Sequence, residues 1–454
     1  MPGNRTTYFS FTSRKTFSGF LVVALVLPFV TVFAQDFQTR IISRDRTVNR
    51  DPVISETGLA AWMFWDTNEV VSAHSHIAVY YQDNRIDLTE EKTTVFEAAA
   101  KPVVHSNRMV FIANFRTTEG GYPWEFQEVP WRDEGEQPEI AAVFRAEEEG
   151  GVQRLIPILP ETMDTNEAVV ASAGVGTNLS RRAPSGLSEI WRWTVGESDV
   201  ERISNDNRND FAPSFWGETI AWQKAKGWPF GWEIMAFVNQ SMIQLTTNFY
   251  YEMAPKVHGN KIVWYGWDGF DYEIFMFDIE KNETIQITSN RFDDVSPQIW
   301  GDVIVWEGYT GLEADIFMWK DGQIRQISNN IDDDLHPRIW NNKIVWQGFD
   351  GDDFEIYLYD IDRGGEPIKV TSNNFDDTNP EIHDDLIVWM GYHDNWDSEI
   401  FYADIRNVTG PGDIRVVQLT DREEDDRDPK TAARRIIWVS DDGGSSRIML
   451  AEPR

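Results

Sequence analysis

The chain of 454 residues contains no cysteine. That excludes disulfides, thiolate metal sites and the acylated cysteine of a lipoprotein leader. Long apolar runs are almost as scarce. The longest, Phe20 to Phe33, follows Arg5, Arg14 and Lys15 and leads through Val32-Phe33-Ala34 to Gln35, the pattern of a cleaved secretory signal peptide over residues 1–34. It falls short of the roughly 20 residues of a membrane span. The expectation is a soluble protein, periplasmic or secreted, with no membrane insertion. Catalytic signatures are missing too: there is no Gly-x-Ser-x-Gly, no Gly-x-x-x-x-Gly-Lys and no His-Glu-x-x-His, so no residue is assigned a catalytic role.

Basic residues are few, 41 Lys and Arg against 75 Asp and Glu, for a net charge of -34. Loss of the leader, whose charged residues are all basic, makes the mature chain more negative still. Such a surface repels phosphate backbones and anionic lipid, which argues against nucleic-acid and membrane-surface partners. Cations and basic protein surfaces are favoured, and the acidity also serves solubility.

What is present is a repeat. Segments beginning at Pro255, Pro297, Pro337 and Pro380 each run into an apolar stretch ending in tryptophan nine residues on, at Trp264, Trp306, Trp346 and Trp389. The same offset joins Pro213 to Trp222, Pro429 to Trp438 and Pro102 to Phe111; Pro52 with Trp62 and Pro160 with Val170 match at ten. Apolar residues at helical spacing are absent, and each unit reads as four short β-branched and aromatic strands separated by turn residues. In the unit at Pro255 these are Lys256 to His258, Lys261 to Tyr265, Glu273 to Ile279 and Thr284 to Thr288. Four strands at this period predict an all-β fold, a closed β-propeller. The last unit stops after three strands, while Thr39 to Ser43 reads as an unmatched fourth. The ring is therefore expected to close with an amino-terminal strand, as one propeller over residues 35–454. Nine starts are counted; eight blades result if the divergent stretch from 102 to 212 holds one fewer.

The repeats Ile287-Thr288-Ser289-Asn290, Asp293-Asp294, Pro297 with Asp315-Ile316-Phe317, and Val370-Thr371-Ser372-Asn373, Asp376-Asp377, Pro380 with Glu399-Ile400-Phe401 are similar to those of TolB-like propellers. The resemblance does not extend to the α/β domain that precedes the propeller in TolB itself. It implies the propeller architecture and, since the family includes propellers with calcium in the channel, a calcium site.

Two acidic motifs recur. The first precedes each proline: Asp293 and Asp294, Asp333 and Asp334, Asp376 and Asp377, Asp425 and Asp426. The second lies between second and third strands: Asp268 and Asp271, Asp350 and Asp353, Asp394 and Asp397, with Trp267 and Trp396 beside it. In an up-and-down blade both connections leave by the same end of the ring. The first motif is the candidate calcium site, at the channel mouth, because calcium takes six to eight oxygen ligands. The second is the candidate surface for protein partners. The alternative for either is that the carboxylates bind nearby backbone amides and shape the loops. His105, His258 and His383 take the position that Trp216, Trp300 and Trp340 take in other units, which suggests a structural slot on the inner strand. The reading that follows is a non-catalytic exported binding or scaffold protein for partners in the periplasm or at the cell surface. The alternative is a polysaccharide-active lyase or glycosidase.

Overall fold

A computed structural model of the protein describes residues 37–44, 47–66, 75–89, 96–115, 144–149, 152–157, 187–206, 208–226, 231–248, 250–311, 313–393, 397–408 and 410–454. The leader expected over residues 1–34 lies outside them, as do Asp394, Trp396 and Pro160. No helix among the described residues is long and apolar enough to cross a membrane.

The strands form eight four-stranded antiparallel sheets and one two-stranded hairpin. The sheets are the blades of a β-propeller, numbered along the chain with strands a to d from the channel outward. Blade 4 is typical: strand a is Glu252–His258, b Lys261–Trp267, c Tyr272–Asp278 and d Glu283–Gln286. Blade 8 takes strands a, b and c from Asp425–Ala432, Arg435–Asp441 and Ser446–Pro453, and its strand d from Phe37–Ile41. Phe37 stands opposite Pro453 and Ile41 opposite Met449, which is the amino-terminal closure expected from the unmatched strand.

The blade count is eight. The ninth start, at Pro160, falls between strands b (Arg108–Phe115) and c (Ser188–Thr194) of blade 2. Those two strands pair directly, Asn114 opposite Ser188. The intervening stretch is therefore an insertion within one blade, and the described part of it is a hairpin, Phe144–Glu149 with Val152–Pro157.

Each strand b buries both of its faces, so it reads as a continuous apolar run rather than an alternating one. In blade 5, Ile304 and Trp306 pack on Val263, Ile274 and Met276 of blade 4, while Val303 and Val305 pack on Ile339, Ile344 and Trp346 of blade 6. The same exchange recurs at each blade boundary, including that between blades 8 and 1, where Ile437 and Val439 meet Trp62 and Phe64. Each such Val or Ile contributes roughly 1.5–3 kcal/mol by burial.

A second regularity lies in strand a. In each blade the residue before the proline has a positive φ, between 47° at Ala212 and 56° at Ser296 and His336. The pairing with strand b shifts register at the same point. This is a β-bulge, in a position where a pre-proline residue ordinarily stays extended. It turns the backbone N–H toward the preceding blade: His336 donates to Glu307 Oε1 and Asn379 to Gln347 Oε1, both at 2.8 Å. In blades 6 and 7 the bulge thus fastens the blade to its neighbour.

Candidate functional site

The d-to-a links and the b-to-c loops emerge at one end of the ring, here the link face. Both acidic motifs lie there, and hydrogen bonding divides the first of them into two roles. The second acid of each pair opens strand a and turns inward onto the tryptophan twelve residues on. Trp306, Trp346 and Trp389 donate their indole N–H to Asp294, Asp334 and Asp377 at 2.7 Å, and Trp438 donates to Asp426 at 3.1 Å. Glu252 does the same for Trp264 at 2.6 Å. The other oxygen of Asp334 and of Asp377 accepts an amide N–H, from Asn330 and Asn373, at 2.6 Å. A glycine two residues after the tryptophan makes room: a Cβ on Gly308 would lie 2.6 Å from Asp294 Oδ1. Burial pushes Asp377 and Glu252 up to about 8, and Asp294, Asp334 and Asp426 up to about 6.

The first acid of each pair reaches back to the preceding blade, where it caps the start of strand c. Asp293 accepts the N–H of Tyr272 at 2.9 Å; Asp333, Asp376 and Asp425 accept those of Ala314, Phe354 and Ser398 at 3.0 Å. The two motifs therefore meet within each blade, link against loop.

Among the described residues, the groups of three carboxylates close enough to share an ion are Asp268, Asp271 and Glu273 in blade 4, and Asp350, Asp353 and Glu355 in blade 6, their nearest oxygens within 4.8 Å of one another. Both belong to the second motif, which sequence reasoning had taken as a partner surface. Asp268 and Asp350 also hold their loops in shape, accepting the N–H of Phe270 at 2.9 Å and of Asp352 at 3.0 Å. Asp397 stands at the start of strand c in blade 7. Trp267 is half-buried and edge-on to Tyr272, 5.2 Å between ring centres. It caps the loop.

The exposed apolar side chains of the link face are others: Phe270 (87% exposed), Ile331 (83%), Phe292, Tyr392 and Tyr251. They rise from the loops and links of blades 3 to 7, between the acidic motifs. Sequence periodicity could not separate them from core residues.

The channel has its own chemistry. At the ends of the a strands, away from the link face, six rings from consecutive blades stack in series. Centroid distances are 3.9 Å for His105–Trp216, 4.1 Å for Trp216–His258, 4.4 Å for His258–Trp300, 3.8 Å for Trp300–Trp340 and 3.5 Å for Trp340–His383. This is the structural slot expected from the histidine and tryptophan equivalence. Burial there pulls His258 down to about 4. Between the belt and the link face stand Lys256, Arg338, Glu381 and Lys430, each one residue after its blade's proline. Arg338 Nε and Lys430 Nζ lie 3.2 and 2.5 Å from Glu381 Oε1. Against the upward push of burial, Lys430 and Arg338 hold Glu381 down to about 2. Burial and Arg338 together lower Lys256 to about 8. A strongly acidic protein thus carries a basic channel, a feature missed because nothing in the spacing marked the channel-facing register.

Solved structures similar to the chain include the β-propeller domain of the Trilobed protease from Pyrococcus furiosus, at 13% identity and a TM-score of 0.45, covering 84% of this chain and 98% of that one. A structure from a study of two prolyl endopeptidases matches at 8% identity and a TM-score of 0.51, over 87% of this chain and 54% of that one. A putative TolB from Agrobacterium tumefaciens matches at 12% identity and a TM-score of 0.36, over 56% of this chain and 95% of that one. No family model matches, and no curated protein matches in sequence. At these identities the likeness speaks to the fold alone.

Proposed function

We propose that the chain is an exported, non-catalytic binding propeller whose link face takes a protein partner with basic groups around an apolar centre. The observation that carries this reading is the exposure of Phe270, Ile331, Phe292, Tyr392 and Tyr251 on one face of the ring, set among its acidic loops and links. Large apolar side chains gathered on one face and rimmed by charge are the make-up of an interaction surface. Charge complementarity specifies the partner's sign. Of the loop tryptophans that could grip a sugar, Trp267 is turned into a loop cap, and Trp396 lies outside the described residues.

The test is proximity labelling in the native host with three forms of the protein: wild type, Phe270→Ser with Ile331→Ser, and Ile324→Ser on the outer strand of blade 5 as control. A partner on the link face should be enriched by wild type and control, fall at least tenfold with the double variant, and dissociate as salt is raised. Equal enrichment by all three forms would overturn the assignment, as would release of sugar products by the purified protein.

A further inference from the structure

Blades 2 to 7 each open strand c with a buried carboxylate, and they differ in what neutralises it. Glu189 in blade 2 pairs with Arg202 at 2.7 Å, and Glu233 in blade 3 with Lys226 at 2.5 Å. In blade 5 the residue is Asp315, which accepts from Thr310 at 3.2 Å and Gln326 at 3.0 Å. In blade 6, Lys369 lies 3.2 Å from Glu355 and 2.6 Å from Asp350, supplying a cation to a group of three acids. Glu399 in blade 7 accepts the backbone N–H of Arg422 at 2.8 Å.

Blade 4 has the same three acids as blade 6, and among the described residues no cation pairs with them. Lys369 stands opposite Tyr357 in blade 6; the corresponding partner of Phe275 in blade 4 is Gln286. Asp271 is 7% exposed with its Oδ1 buried and without a hydrogen-bond partner, as is Oδ2 of Asp353 in blade 6, so the two sites differ in the cation beside them. Asp293, which caps Tyr272, adds a fourth carboxylate at the same loop. Burial and the charges of Asp268 and Asp293 raise Asp271 above the usual carboxylate range. A buried carboxylate oxygen without donor or counter-charge is strongly destabilising unless something supplies the positive charge.

We infer that Asp268, Asp271 and Glu273 of blade 4 hold a calcium ion, which fills the role that Lys369 fills in blade 6. The donor set is all oxygen, from a loop kept in shape by Asp268, and suits a hard cation whose coordination is completed by water and loop carbonyls. This site lies in the b-to-c loop and is separate from the calcium site at the channel mouth expected from the acidic links. It does not depend on the partner-binding reading.

The experiment is calorimetric titration of calcium into chelator-treated full-length protein, with thermal melting of the same samples. Wild type should bind calcium saturably and melt higher with it. Asp271→Asn should weaken that binding at least tenfold. Gln286→Lys, which copies the blade 6 solution and leaves the acids in place, should also weaken binding at least tenfold while raising the melting temperature of the calcium-free protein. Asp353→Asn should leave the calcium affinity unchanged. Absence of binding to wild type at millimolar calcium would overturn the inference, and so would binding that survives both Asp271→Asn and Gln286→Lys unchanged.

Discussion

The acid-to-tryptophan latch shows how a residue-scale rule can hide inside a legible repeat. The pairing of acids before each proline is plain in the sequence. Its purpose lies in a spacing of twelve that connects Asp294, Asp334, Asp377 and Asp426 to the strand b tryptophans. Blade 2 supplies the internal control: where the tryptophan is replaced by Phe111, which has no N–H to donate, the residue twelve before it is Ala99. The acids drew attention as ligands because nothing in a linear reading shows the bulge that turns one of each pair inward. Truncating a latch leaves a buried indole N–H without its acceptor, at a cost of about 1–3 kcal/mol. Asp377→Ala should therefore lower the unfolding free energy read from urea titration by that amount, and much less in a Trp389→Phe background. Equal losses in both backgrounds would mean that the carboxyl acts through something other than the indole.

At the scale of elements, strands and their order were readable because each blade repeats one pattern, and the closure was readable because the last blade lacked an outer strand. The count was not. A proline and an apolar residue ten apart at Pro160 imitate a blade start inside an insertion, and only the pairing of Asn114 with Ser188 shows that the ring passes it by. The closing strand is short, but its position gives it leverage. Phe37 is buried against Tyr402 of blade 7, with ring centres 5.1 Å apart, and Phe37–Ile41 covers the outer edge of the last strand from Met449 to Pro453. Replacing residues 37–41 by a Gly-Ser linker should bare that edge and open the ring between its first and last blades. The expected outcome is a melting transition lowered by several degrees, with concentration-dependent oligomers on size-exclusion chromatography. A monomer with unchanged melting would show that packing between blades 8 and 1 suffices without the strand.

Across the whole molecule, stability rests on buried acids whose protonation opposes the ordinary behaviour of a carboxylate. Asp210, Glu252 and Asp377 are pushed up to about 8 by burial, whereas in the unfolded chain such groups titrate near 4. Between those values the folded protein holds protons that the unfolded chain has released, so stability falls as pH rises through that window. Glu381 works the other way: held down to about 2 by Lys430 and Arg338, it adds stability above its unfolded value and loses it as pH falls toward 2. The melting temperature should therefore peak near pH 5 and decline toward pH 8. Repulsion among surface carboxylates acts in the same direction, so the measurement belongs at high ionic strength, where that contribution is screened. Asp210 is the sharpest probe because it is wholly buried, beside Ser204 and Trp222, and burial outweighs both. In scanning calorimetry at high salt, Asp210→Asn should flatten the decline between pH 5 and 8, and the exposed Asp362→Asn should leave it intact. A melting temperature that rises over that range, or a slope indifferent to Asp210→Asn, would show that these acids are already ionised in the folded ring.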